Sequence, residues 1–181
     1  CHTFLRAVPE ILRRQPEAHI VVVGATEGVS YGKPAPDNSW CDVFLNQIAG
    51  QYDPARLHFV GSLPYDSFLR LLQLSACHVY LTYPFVLSWS LLEAMSTGCA
   101  VVGSATAPVQ EVICDGQEGL LVDFFSSSIL AETVDEILSD RSLAMELGRR
   151  ARQAVVKRFS LQECLPRQLA LLQLVASGAL N

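Results

Sequence analysis

Glu93 is the residue best placed to do chemistry in this sequence. It sits between apolar neighbours, Leu91, Leu92, Ala94 and Met95, in the stretch YPFVLSWSLLEAMSTGCAVVG from Tyr83 to Gly103. That stretch reads as a strand end, a short apolar loop, a helix opening on serines, a stop at Gly98 and a second strand from Cys99. A helix N-terminus presents unpaired N–H groups and partial positive charge, which suit an anion such as phosphate. A carboxylate one turn further in has two uses. Ser90-x-x-Glu93 fits a capping box, in which the acid serves the helix itself. Alternatively, the carboxylate accepts hydrogen bonds from ligand hydroxyls such as a ribose diol. The residues alone leave the two roles evenly open.

The other reactive residue types assemble no competing site. His2, His19, His58 and His78 share no metal-ligand spacing, and three of them fall at or near strand starts, so structural roles are expected. No Asp-x-Asp pair offers a carboxylate cage for a metal, and no G-x-G-x-x-G follows the first strand as a dinucleotide site requires. Gly32-Lys33 resembles a phosphate loop only superficially, because Pro34 stands where that motif needs Ser or Thr. Glu111 and Asp123 read as cap or loop acids. Arg149, Arg150, Arg152, Lys157 and Arg158 cluster late in the chain. They read as a solvated helix face, with a contact to anionic lipid or a second domain as the alternative.

The elements that must hold Glu93 follow from composition and periodicity. Of 181 residues, 50% are apolar and 17% charged, which fits a sheet covered on both faces and excludes disorder. A net charge of −5 disfavours nucleic acid as a partner. The six cysteines, Cys1, Cys41, Cys77, Cys99, Cys114 and Cys164, include no C-x-x-C pair. They are expected to be reduced, cytosolic and hydrophobe-like. The chain opens CHTFLRAV, without Met or a basic leader, as an excised piece of a longer protein would. No Asp, Glu, Lys or Arg occurs between Arg70 and Glu93, about the length of a membrane span. Scattered polar residues and Pro84 favour a buried strand, turn and helix instead.

Helical spacing covers roughly 3–14, ended by Pro16, and 40–51, with Ser39 as N-cap. It recurs over 65–73, 88–97, 127–138, 141–157 and 160–175, with a short turn near 109–113. Ser160 and Glu163 suggest a capping box, and Pro166 a kink or restart. Strands are expected at 19–24, 57–61, 77–82, 99–103 and 119–122, the first of them buried. A loop over 25–39 would border the ligand crevice. Strict alternation implies a Rossmann-like doubly wound parallel sheet with helices on both faces.

The blocks VVVG, FVGSLPYDSFLRLLQLSACHVYLTYP, FVLSWSLLEAMSTGCAVVGS and APVQEVICDGQEGLLV, in that order, resemble a known family. They look like the C-terminal, donor-binding half of a GT-B-fold retaining glycosyltransferase of family 4, also called group 1. The resemblance runs from about Thr3 to Phe159. It implies a nucleotide-sugar lobe over 1–159, with a C-terminal helix over 160–181 crossing to an N-terminal lobe. It also implies a UDP-, GDP- or ADP-sugar donor, retention of configuration, no metal or other cofactor, and no established protein nucleophile. A sugar, lipid-linked or other acceptor would sit on the N-terminal lobe. The expected location is cytoplasmic, with a peripheral membrane contact.

By position, Glu93 would bind the donor ribose and the N–H groups of Ser88, Trp89 and Ser90 the diphosphate. Gly61, Ser62 and Leu63 would lie beside the base. The family pattern places a first Glu where Phe85 stands, and a Gly-Phe-Gly-like loop where Val86, Leu87 and Ser88 stand. Its diphosphate-binding Arg and Lys precede the first helix and are absent from this sequence. These departures keep two alternatives in view: a non-catalytic binding or scaffold lobe, and another GT-B-like enzyme such as an epimerase or phosphorylase.

Overall fold

The structure, a computed structural model, describes residues 2–25, 39–83 and 86–178. Phe85, Lys33 and most of the loop expected over 25–39 therefore lie outside the described residues. The elements run α1 (His2–Arg14), β1 (Ile20–Val22), α2 (Trp40–Gln47), β2 (Leu57–Phe59), α3 (Tyr65–Leu74), β3 (His78–Tyr80) and α4 (Trp89–Thr97). They continue with β4 (Val101–Ser104), α5 (Ala107–Gln110), β5 (Leu120–Val122), α6 (Ser127–Ser139), α7 (Arg141–Phe159) and α8 (Leu161–Ala176). Among the described residues no helix is long and apolar enough to cross a membrane. The uncharged stretch after Arg70 is divided among the end of α3, β3 and the start of α4.

Every strand pairing is parallel. β1 bonds to β2, and β3, β4 and β5 form a second block in that order. β4 shows why helices cover both faces. All four of its residues are buried, and successive side chains on a strand point opposite ways. Val101 packs with Leu91, Met95 and Ala151 of α4 and α7. Its neighbours Ala100 and Val102 pack with Ile11, Leu130 and Val134 of α1 and α6. A third cluster joins α1, α2 and β2 through Leu5, Val8, Ile48 and Leu57.

Several local expectations change. Ser39 caps α2 as predicted, but reciprocally with Asp42, whose carboxylate accepts from Ser39 N–H. Ser160 caps α8 without a side-chain hydrogen bond. Glu163 pairs with Arg167 at 3.4 Å instead of closing a capping box. Pro166 sits inside α8 without ending it. The β-branched run of β1 was expected to be buried, yet Val21 is 40% exposed. Its second edge has no neighbouring strand, so nothing shields it there.

Burial sets the state of the groups inside. It pushes the Cys77 and Cys99 thiols up, the latter to about 12, which keeps them protonated. Cys41, Cys77, Cys99, Cys114 and Cys164 form no disulfides. Burial also lowers the His78 imidazole from 6.5 to about 4, and its Nε2 has no partner. A neutral His78 in the fold must compete with a protonated one in the unfolded chain. Its stabilising contribution is therefore complete above pH 6.5 and is lost as the pH falls towards 4. We expect urea midpoints at pH 7.5 and 4.5 to differ by about 2 kcal/mol more in the wild type than in His78→Leu. Equal differences in the two proteins would remove this role.

Candidate functional site

α4 meets the C-terminal edge of the sheet with its N-terminus. Ser88 caps the helix, its Oγ accepting from Ser90 N–H at 3.4 Å and from Ser90 Oγ at 3.1 Å. The cap is thus two residues earlier than a Ser90–Glu93 capping box requires, and that box does not form. Glu93 lies at the fifth helical position, half-buried, past the reach of the first turn's N–H groups. It faces α3 instead. A hydrogen bond from the Tyr65 hydroxyl to the Glu93 carboxylate raises the Tyr65 pKa above its ordinary value. Tyr65 opens α3 directly after Gly61, Ser62 and Leu63, so this contact draws the β2–α3 loop to the side of α4. Gly61 turns that loop with φ of 65° and its carbonyl accepts from Gly24 N–H at 2.9 Å. The loop's conformation is left-handed, which favours glycine.

The three N–H groups assigned to an anion are not equivalent. Ser88 N–H donates to the buried Tyr80 hydroxyl at 2.8 Å. Ser90 N–H makes the weak bond to Ser88 Oγ. Trp89 N–H has no partner within the chain, and its indole is 80% exposed. An anion here would meet Trp89 N–H and Ser90 N–H first. Leu87 packs against the core under α4 rather than facing outward, while Val86 is exposed.

The edge beside α4 is tied down by hydroxyls. Ser104, fully buried, donates to Thr82 O at 3.0 Å and accepts from Thr82 N–H at 3.1 Å. It fixes the end of β3 just before Phe85. Further along, Tyr83, Phe124 and Phe125 stack edge-on with centroids 5.0–5.7 Å apart, and His2 at the start of α1 packs against Phe124. Sequence reasoning missed Tyr65, Tyr80 and this aromatic group. Only Tyr65 carried a signal, as the first residue of the helix after the chosen loop. Gly28, Ser30 and Gly32 have the spacing of a nucleophile elbow, a pattern also passed over, but they lie outside the described residues.

The basic cluster is largely engaged. Arg149 and Arg150 pair with Glu146 at 2.7 Å each, Arg152 donates to Ser96 O near the end of α4, and Arg158 donates to Val112 O at 3.0 Å. His19 and His58 stack at the starts of β1 and β2 with Nδ1 and Nε2 2.9 Å apart. Among the described residues no three His, Cys, Asp or Glu side chains come together as a metal site.

The family model for glycosyl transferases group 1 matches residues 1–154. The chain belongs to that family. This group 1 chain is 26% identical over 117 residues to the uncharacterized glycosyltransferase MJ1069 of Methanocaldococcus jannaschii, covering 64% of this chain and 30% of that protein. It is 30% identical over 104 residues to N-acetyl-alpha-D-glucosaminyl L-malate synthase of Bacillus anthracis, covering 58% and 27% respectively. The matched region thus spans less than a third of either curated relative. In fold it superposes on Anabaena Alr3699/HepE, solved in complex with UDP-glucose, with a TM-score of 0.79 at 19% identity. That match covers 97% of this chain and 44% of the other. The C-terminal domain of LpcC, a group 1 family protein from Francisella tularensis, gives 0.74 at 20% identity, over 88% of this chain and 79% of that one. The group 1 chain therefore has the parallel α/β architecture of a GT-B lobe.

Proposed function

We propose that this chain is the donor-binding lobe of a retaining glycosyltransferase. It holds a nucleotide diphosphate sugar at the edge formed by the α4 N-terminus and the Gly61–Leu63 loop. The observation that carries the reading is the position of Glu93. It serves no helix cap, it is half-exposed beside that loop, and it stands one turn below the unpartnered Trp89 N–H. A carboxylate so placed suits a ribose diol, and the helix start suits the diphosphate. The UDP-glucose complex of the Anabaena protein supports this class of ligand by analogy of fold.

No metal and no protein nucleophile enter the proposal. The chain's own contribution is binding and orientation, with N–H donors offsetting charge on the departing diphosphate. α8 buries none of its residues and exposes Leu161, Leu165, Leu169 and Leu172. We read that face as packing on an acceptor-binding lobe, so residues 1–181 alone would bind donor and transfer little. A peripheral contact with anionic lipid would rest on Lys157 and the outer faces of Arg149 and Arg150, since Arg152 and Arg158 are spent on carbonyls.

Calorimetry of the full-length protein with UDP, GDP and ADP and their sugars tests the reading. Binding of one nucleotide series in preference to the others is expected. Absence of binding to all of them refutes it. Robust turnover by the full-length protein would further exclude the scaffold alternative that Phe85 raises.

A further inference from the structure

A cavity of about 580 Å³ separates β1 from β3. Neither strand pairs across it, since β1 bonds only to β2 and β3 only to β4 among the described residues. In a parallel ladder the peptide groups of alternate residues address opposite neighbours. Val60 N–H donates to Val22 O, Gly24 N–H to Gly61 O, and His78 N–H to Ala100 O. The intervening residues, Val21 and Val23 on β1 and Val79 and Leu81 on β3, therefore turn their N–H and C=O groups into the gap.

Both faces of the gap are apolar. Phe4 and Ile11 of α1 and Val134 of α6 close one side, and Phe68 and Leu71 of α3 close the other. Two rows of unpaired peptide groups between two apolar walls form the complement of a central parallel strand, which is buried on both faces and bonded along both edges. Two anomalies described above lie at this gap: the exposure of Val21 and the unpartnered Nε2 of His78. Open strand edges are also a standing aggregation hazard that proteins cover.

The fold fixes where such a strand would lead. α1 begins at the C-terminal edge of the sheet, where Thr3 Oγ1 donates to Phe124 O at 2.7 Å just past β5. A strand parallel to β1 and β3 ends at that same edge. Its chain could enter α1 directly, return along α1, and continue into β1 as a β-α-β unit with adjacent strands. The curated relatives carry ample additional polypeptide, since the match covers 30% of the Methanocaldococcus protein.

We propose that this gap receives one further parallel β-strand, an extended apolar segment of the same polypeptide running into the N-terminus of α1. It joins the strand pair and the strand triplet into one six-stranded sheet, ordered β2, β1, the added strand, β3, β4, β5. This assignment is independent of nucleotide binding and stands or falls without it.

Amide exchange in the full-length polypeptide and in residues 1–181 tests the proposal. The amides of Val21, Val23, Val79 and Leu81 should exchange about 100-fold more slowly, or better, in the full-length polypeptide. Val21→Pro should lower the melting temperature of the full-length protein clearly and that of residues 1–181 little, because the lost N–H has a partner only in the former. Equal exchange rates in the two chains overturn the proposal, as does an equal effect of Val21→Pro. Sedimentation of both chains completes the test. Monomers are expected, and a dimer that accounts for the protection would instead place a second copy in the gap.

Discussion

Gly148→Ala is expected to destabilise the chain by about 3 kcal/mol, at the upper end of overpacking costs. Helix propensity alone predicts the reverse, a gain of roughly 1 kcal/mol on replacing an interior glycine. Packing decides the sign. α7 crosses the end of α4 at this residue, and a methyl group there would overlap the Gly98 carbonyl oxygen and lie 2.9 Å from its carbon. The obstructing atoms are backbone and have little room to retreat. Gly98 ends α4 in the left-handed region, at φ of 80°, with its N–H bonded to Met95 O at 3.0 Å. Cys99 then enters β4 through a bond from its own N–H to Ala94 O. Shifting α7 outward would open the cluster that holds Ala151 and Val155 against Leu91 and Met95. Urea unfolding, with an unchanged slope and a lower midpoint, is the readout. A variant as stable as the wild type, or more stable, would mean that the two helices are not in this contact.

Glu93→Ala is expected to weaken nucleotide binding by about 1–3 kcal/mol, which is roughly 5- to 150-fold in Kd. It should leave stability within about 0.5 kcal/mol. The two halves of this prediction belong together. A capping acid would show the opposite pattern, with stability lost and affinity kept. Because Ser88 caps the helix and Glu93 turns to Tyr65, truncation of the acid leaves the helix start intact. The Tyr65 phenol should titrate closer to its ordinary pKa in the variant, visible by ultraviolet absorbance, which confirms that the side chain was removed from its observed partner. Unchanged affinity would separate Glu93 from the donor.

Local chemistry made most of the architecture readable. Gly98 announced the end of α4, Ser39 the start of α2, and β-branched runs the strands, because each signal acts within a few residues. Glu93 and its serines were legible for the same reason. Tyr80 shows what was not. Its hydroxyl reaches Ser88 N–H eight residues on, and that meeting depends on how β3 lies beneath α4. Gly148 likewise looked like an ordinary helix residue until α4 was set against it. The misassigned caps at Ser90 and Ser160 share one cause. Each serine was followed three residues later by Glu, yet in both cases the acid bonds elsewhere, to Tyr65 in one and to Arg167 in the other.

α4 is held unevenly along its length. Its last turn is clamped by Gly148 of α7 and by the Arg152 guanidinium on Ser96 O, while its first residues are solvent-facing around Trp89. Mechanically it is a beam fixed at the far end and free at the end offered to the ligand. The free end can re-aim two or three N–H groups at a cost confined to one turn. The fixed end prevents that adjustment from travelling into the sheet.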